Sequence, residues 1–332
     1  MNYLPWHREQ FQALAERTGH AGRLPHAMLF TGTGGIGKRQ FAHAVAQGML
    51  CERGSAALNA CGACESCHWM AGDSHPDCRV LQPELAEAGD DDEPVKRKKP
   101  EISIAQIRAL YDFINLTAHR GGLKVVVIQP AEAMNLNAAN ALLKSLEEPP
   151  ADTRFLLVAD RPALLPATIR SRCQQLPLRP PTREESLQWL AAQNIKDAEL
   201  ALAQAGGAPL LAAQFAEAAY LEQRAQFLDG LAAREFDALA VAARHHLQPI
   251  PPLIHWLQRW TYDMVSLKCT GRIRYNPDRQ DALARTAGRI NALEMLRFHR
   301  ELVRFQRVIH HPLNPRLLLE DLMMRYGAIV CV

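Results

Sequence analysis

Four cysteines stand at Cys51, Cys61, Cys64 and Cys67, in the spacing C-x9-C-x2-C-x2-C. Thiolates at such short intervals can close on one cation, and four of them complete a tetrahedral shell with no position left open for a substrate. The chemistry this predicts is a structural Zn²⁺ site. Gly62 allows the tight turn that a knuckle between Cys61 and Cys64 needs. An iron–sulfur cluster is the main rival, since three cysteines at two-residue gaps suit it. Such a run continues to a fourth Cys-Pro, however, and position 71 is Ala. Unliganded thiols are a third reading, and His68, His75 and Cys78 are substitute ligands without paired spacing.

A second chemical signal lies just before the cysteines. Gly32-Thr-Gly-Gly-Ile-Gly37-Lys38 reads as a phosphate-binding loop between a strand and a helix. Its glycines let backbone N–H groups curl round phosphates, and Lys38 would neutralise β/γ-phosphate oxygens. The partner positions depart from the pattern. Arg39 stands where Ser or Thr should ligate Mg²⁺, and Gln129 and Pro130 follow a buried strand that should end in a metal-binding Asp and a water-orienting Glu. Glu132 is out of register for that role. Together these losses predict a vestigial site that can cradle an anion without the metal and water chemistry. A mere tight turn and an active ATPase are the alternatives.

The elements that must position these groups are legible as alternating strands and helices. Short apolar runs at 26–30, 124–128 and 154–158 read as strands, with helices at 38–50, 107–116 and 138–147. That alternation implies a parallel sheet covered on both faces. After Arg179 the strands stop. Thr182 and Glu185 make a helix-capping pair, and the rest is helical, with Trp189, Trp256 and Trp260 as expected core anchors. The expected domains are 1–179, carrying the cysteine module 51–67, then a small helical domain at 180–219 and a helical bundle at 220–332. Between Pro83 and Pro100, four acidic residues (Asp90 to Glu93) precede four basic ones (Lys96 to Lys99) without apolar periodicity, which predicts a solvated loop rather than a DNA-contacting patch.

Composition narrows the class. With 332 residues, 48% hydrophobic and 22% charged, the chain is a folded protein of two or three domains. Its 38 basic and 35 acidic residues nearly cancel, so charge alone gives no case for nucleic-acid binding. Met1 to Gln10 offers no secretory apolar stretch and no run reaches a membrane span, so a cytoplasmic protein is expected. Eight cysteines in that setting argue for metal or buried thiols over disulfides.

Two further stretches carry a family resemblance. Ala138-Ala-Asn-Ala-Leu-Leu-Lys-Ser-Leu-Glu-Glu-Pro-Pro150 and Thr168-Ile-Arg-Ser171-Arg172-Cys173 resemble the clamp-loader branch of the AAA+ proteins. The cysteine module behind the phosphate loop narrows this to the bacterial polymerase III group. Tyr3-Leu-Pro-Trp-His7 and Asn314-Pro-Arg-Leu-Leu-Leu-Glu320 extend the similarity along essentially the whole chain. The resemblance implies a RecA-like AAA+ α/β domain with an inserted zinc module, a helical lid domain and a helical collar bundle. It implies partners too: tau/gamma and delta subunits in a five-subunit ring, with the sliding clamp and primer–template DNA reached through that ring.

The same resemblance gives Arg172 a role as an arginine finger reaching into the ATP site of a tau/gamma neighbour, with Arg170 as the nearby rival. The family's lid-domain sensor arginine falls on Pro209, after Gly206 and Gly207. ATP binding by Gly32, Gly37 and Lys38 is then vestigial or absent, and zinc is structural. The chain is expected to act inside a DNA polymerase holoenzyme, a nucleotidyltransferase, without turnover of its own. An active tau/gamma-like motor is the alternative reading, and a stand-alone zinc-dependent DNA-binding module is a third that lacks an adjacent basic recognition helix.

Overall fold

The computed structural model describes residues 3–21, 24–54, 58–84, 100–119, 122–150, 152–308 and 314–331. The charged run 85–99 lies outside the described residues. The chain divides into two compact units, one built from Met1–Gly89 with Pro100–Glu185 and the other from Ser186–Val332.

In the first unit α1 (Arg8–Ala21) leads into β1 (Ala27–Thr31), then α2 (Lys38–Leu50), α3 (Glu65–Ala71) and β2 (Cys78–Leu81). There follow α4 (Ile104–Asn115), β3 (Lys124–Ile128), α5 (Leu136–Glu147), β4 (Thr153–Ala159), α6 (Ala167–Arg172) and β5 (Gln174–Pro177). The five strands are all parallel, in the order β2-β3-β4-β1-β5. Alternate side chains explain why both faces are covered. Met28, Phe30, Val125 and Val127 pack with Phe41 and Val45 of α2. Leu29, Val126, Ile128 and Phe155 face the opposite way, onto Ile107 of α4 and Leu142 and Leu146 of α5. This is the doubly covered parallel sheet expected of the sequence.

The boundaries shift where caps decide them. The expected helix 107–116 begins earlier, at Ile104, because Ser103 and Gln106 form a reciprocal capping box. The expected helix 138–147 begins at Leu136, where the Asn135 side chain accepts the N–H of Ala138. Strands β2 and β5 escaped the sequence reading because they are short edge strands with no fully buried residue. The expected cap does form at the end of this unit. Thr182 Oγ1 accepts the Glu185 N–H at 3.2 Å, and Arg179 grips the Glu185 carboxylate at 2.9 and 2.7 Å, holding its pKa down at about 2.

Helix α7 (Arg183–Ala192) crosses into the second unit, which is helical throughout its described residues. It contains α8 (Ala198–Gln204), α9 (Pro209–Phe215), α10 (Ala218–Leu231), α11 (Ala238–His245) and α12 (Ile250–Thr270). After these come α13 (Gln280–Arg289), α14 (Ala292–Val308) and α15 (Pro315–Val330). A small apolar cluster centres on Leu190, Leu202 and Ala212, with Trp189 only half-buried at its margin. A larger one holds Phe227, Trp256, Trp260, Met264, Met323 and Tyr326. The buried indoles keep their polar ends satisfied: Trp256 donates to the Tyr220 hydroxyl at 2.7 Å and Trp260 to the Tyr326 hydroxyl at 2.9 Å. Of the leucines of α15, Leu322 is core whereas Leu317 is 62% exposed.

One buried charge organises the turn after α12. Asp263, wholly buried, accepts the backbone N–H groups of Arg274 (2.9 Å), Tyr275 (3.0 Å) and Asn276 (2.8 Å) and the Asn276 side-chain amide (2.8 Å). Removing the carboxylate strands those donors, so Asp263→Ala is expected to cost about 3 kcal/mol. A fall in the urea midpoint, with helical content kept, is the measurement.

Candidate functional site

The phosphate loop leaves β1 at Thr31 and enters α2 at Lys38, with Gly37 in the left-handed region (φ 97°) as the helix N-cap. That glycine is required for a second reason: an added Cβ would lie 2.2 Å from Leu4 Cδ1. The N-terminal segment lies against the loop. Trp6 donates its indole N–H to the Ile36 carbonyl at 2.9 Å, and His7 is fully buried, its pKa held down to about 4 by burial.

Lys38 is only 3% exposed and already partnered. Its ammonium donates to the Thr33 carbonyl at 2.5 Å and pairs with Asp160 Oδ1 at 2.5 Å. Asp160 follows β4, the neighbour of β1 in the sheet, so strand order brings it to the loop. A Cβ on Gly34 would lie 3.2 Å from its other oxygen, so the carboxylate sits against the glycines. An incoming polyphosphate must displace this anion and meet its repulsion. Sequence reasoning missed Asp160; its signal, an acid directly after a buried strand, has meaning only once that strand is known to lie beside β1.

The catalytic positions are otherwise occupied. Glu132 accepts the N–H groups of Asp160 and Arg161 through one oxygen, at 2.9 Å each, and so fastens the loop that carries Asp160. Gln129 is buried, its amide 3.1 Å from the ring of His43, whose pKa burial lowers. Arg39 is exposed. Asp160→Ala should raise affinity for inorganic pyrophosphate by roughly tenfold over the wild-type chain, because a competing anion is lost. Calorimetric titration reads this, and adding Lys38→Ala should cancel the gain.

The four cysteines converge as their spacing predicts. Cys51 follows the last residue of α2, and Cys64 caps α3 with its sulfur accepting the Cys67 N–H at 3.4 Å. All four Sγ atoms lie within 4.8 Å of one another, and Cys51 and Cys64 are 3.9 Å apart. A tetrahedron with metal–sulfur bonds of about 2.3 Å has sulfur–sulfur edges of roughly 3.8 Å, so this set could hold a metal ion such as zinc. Two more N–H groups aim at sulfur, Cys61 onto Cys51 (3.3 Å) and Ala63 onto Cys61 (3.4 Å). The Ala63 N–H draws the exposed Cys61 thiol down to about 6, whereas burial pushes Cys67 up to about 12.

The substitute ligands stand apart from this group. His75 accepts the Asp77 N–H at Nδ1 (3.0 Å), and its Nε2 meets the Ser66 hydroxyl at 2.7 Å. His68 is exposed, and Cys78 lies in β2.

Arg172 ends α6, half-buried. One amino group donates to the Thr168 carbonyl at 3.1 Å and the other forms an ion pair with Glu147 at the end of α5. Arg170 has its Nε buried without a partner. Pro209 opens α9 after the N-cap Ala208, which follows Gly206 and Gly207, both at positive φ. No helix among the described residues is long and apolar enough to cross a membrane.

The family model "DNA polymerase III, delta subunit" matches residues 6–182, and that for "DNA polymerase III, delta subunit, C terminal" matches 218–327. DNA polymerase III subunit delta' of Pseudomonas aeruginosa is 41% identical over 273 residues, covering 80% of this chain and 78% of that one. The delta' subunit of Escherichia coli is 29% identical over 334 residues, covering 98% and 95%. DNA polymerase III subunit tau of Escherichia coli is 35% identical over 158 residues, 48% of this chain and 22% of that protein. Likeness that runs through both compact units reaches well beyond shared motifs, and the chain belongs to the delta' family of DNA polymerase III clamp-loader subunits.

Proposed function

We propose that the chain is a non-hydrolysing member of the clamp-loader ring. It helps to load the sliding clamp on primed DNA and supplies Arg172 in trans to a neighbouring ATPase subunit. The observation that carries this reading is the Lys38–Asp160 pair, which gives the loop's cation an internal anion. Arg39, Gln129 and Pro130 supply no metal ligand and no base beside it. Kinship with tau supports a tau/gamma neighbour. Delta, the sliding clamp and primer–template DNA complete the proposed set of partners, in the cytoplasm.

In this reading zinc at the four cysteines is structural, residues 180–219 serve as the lid domain and 220–332 as the collar. Clamp loading by a complex reconstituted from tau/gamma and delta, with and without this chain, is the test. Loading that is equally efficient without it refutes the proposal. ATP turnover by the purified chain that Lys38→Ala abolishes would instead make it a motor.

A further inference from the structure

The geometry points to Glu147 as a positioning residue for Arg172: a carboxylate that holds the guanidinium against its own chain and is exchanged for a neighbour's terminal phosphate. This rests on the trans role of Arg172 proposed above.

Arg172 is not held out as a free probe. One amino group is engaged by the Thr168 carbonyl of its own helix and the other by Glu147 across α5 and α6. Both side chains keep access to water, with 34% of Arg172 and 48% of Glu147 exposed, so the pair can open without unfolding anything. A carboxylate carries one negative charge, and a nucleoside triphosphate's terminal phosphoryl group carries more charge on three oxygens. The guanidinium offers its Glu147-bound amino group to either anion, and a phosphoryl group can also take the one now on Thr168. The exchange is therefore downhill when a triphosphate is present next door and has no driving force when that site is empty. Glu147 would thus compete with the nucleotide for Arg172 and set the concentration at which the finger engages.

Removing the competitor should shift the half-saturation point and leave the saturated rate alone. An exposed ion pair of this kind corresponds to an effect of up to roughly fivefold. The experiment is ATPase kinetics of the reconstituted complex with wild-type chain, Glu147→Gln, Arg172→Ala and the double variant, with thermal midpoint and assembly measured for each. The proposal expects Glu147→Gln to lower the apparent KM for ATP by about two- to fivefold with kcat nearly unchanged. It expects no such shift when Arg172 is already Ala, and a KM near wild type for Glu147→Asp. If Glu147→Gln leaves KM unchanged, or shifts it equally in the Arg172→Ala background, the exchange is overturned while the finger stands. If Arg172→Ala itself leaves the ATPase unaltered, the finger reading fails and takes this inference with it. A Glu147→Gln chain that fails to assemble makes the residue structural and also overturns the proposal.

Discussion

Arg172→Ala in the assembled clamp loader is expected to depress ATP turnover at the neighbouring site by roughly a thousandfold, while the chain still folds and joins the complex. A guanidinium placed on charge that develops at the transferred phosphoryl group stabilises the transition state more than the ground state, and fingers supplied in trans are worth about 10³ to 10⁵ in rate. The cost to this chain's own stability is small. The side chain is half-buried, and the ion pair lost with Glu147 is solvent-accessible, worth about 0.2 to 1 kcal/mol. Function and folding are thus separable at this position. Single-turnover ATP hydrolysis, with assembly followed by gel filtration, checks it, and an unchanged rate in an intact complex removes Arg172 from the role. Arg170→Ala is the control.

Loss of metal from the cysteine module should have the largest effect on the chain itself. Cys64→Ala removes one of the four clustered thiols and also the cap of α3, and the remaining three cannot close a tetrahedral shell. Structural zinc contributes about 10 kcal/mol or more of apparent free energy where its site forms only in the folded state. The expected result is a fall from one zinc per chain to none, with loss of hydrogen-exchange protection through α3 and the turn before it. The parallel sheet should keep its protection, because none of the four clustered cysteines belongs to its core clusters. Elemental analysis of the purified wild-type chain is the decisive control: iron, or markedly less than one zinc, rejects the assignment.

Much of the fold was legible because its signals are local. The buried runs at β1, β3 and β4 consist of contiguous apolar residues, and the helices between them carry their own apolar faces, so layer and class followed from periodicity. Helix starts lie earlier than expected, by three residues after Ser103 and two after Asn135, because a polar cap precedes the first apolar residue. The edge strands β2 and β5 were invisible because hydrogen bonds to a neighbour, not burial, define them. Trp189 was overvalued as an anchor because size predicts burial poorly at the margin of a small cluster.

The chemistry divides along the same line. The four-cysteine set, the glycine loop and the missing metal and base positions are written in the chain itself, since each is a matter of residue type at fixed spacing. What those groups face follows from the packing of distant elements. Asp160 meets Lys38 because β4 pairs with β1, the N-terminal segment covers Gly37, and Glu147 meets Arg172 because α5 packs on α6. Such partners are distant along the chain, and no local spacing encodes them. Parallel strand order puts the loop after β1 beside the loop after β4 at the C-terminal ends of the strands, and that adjacency gives the phosphate loop its own internal anion.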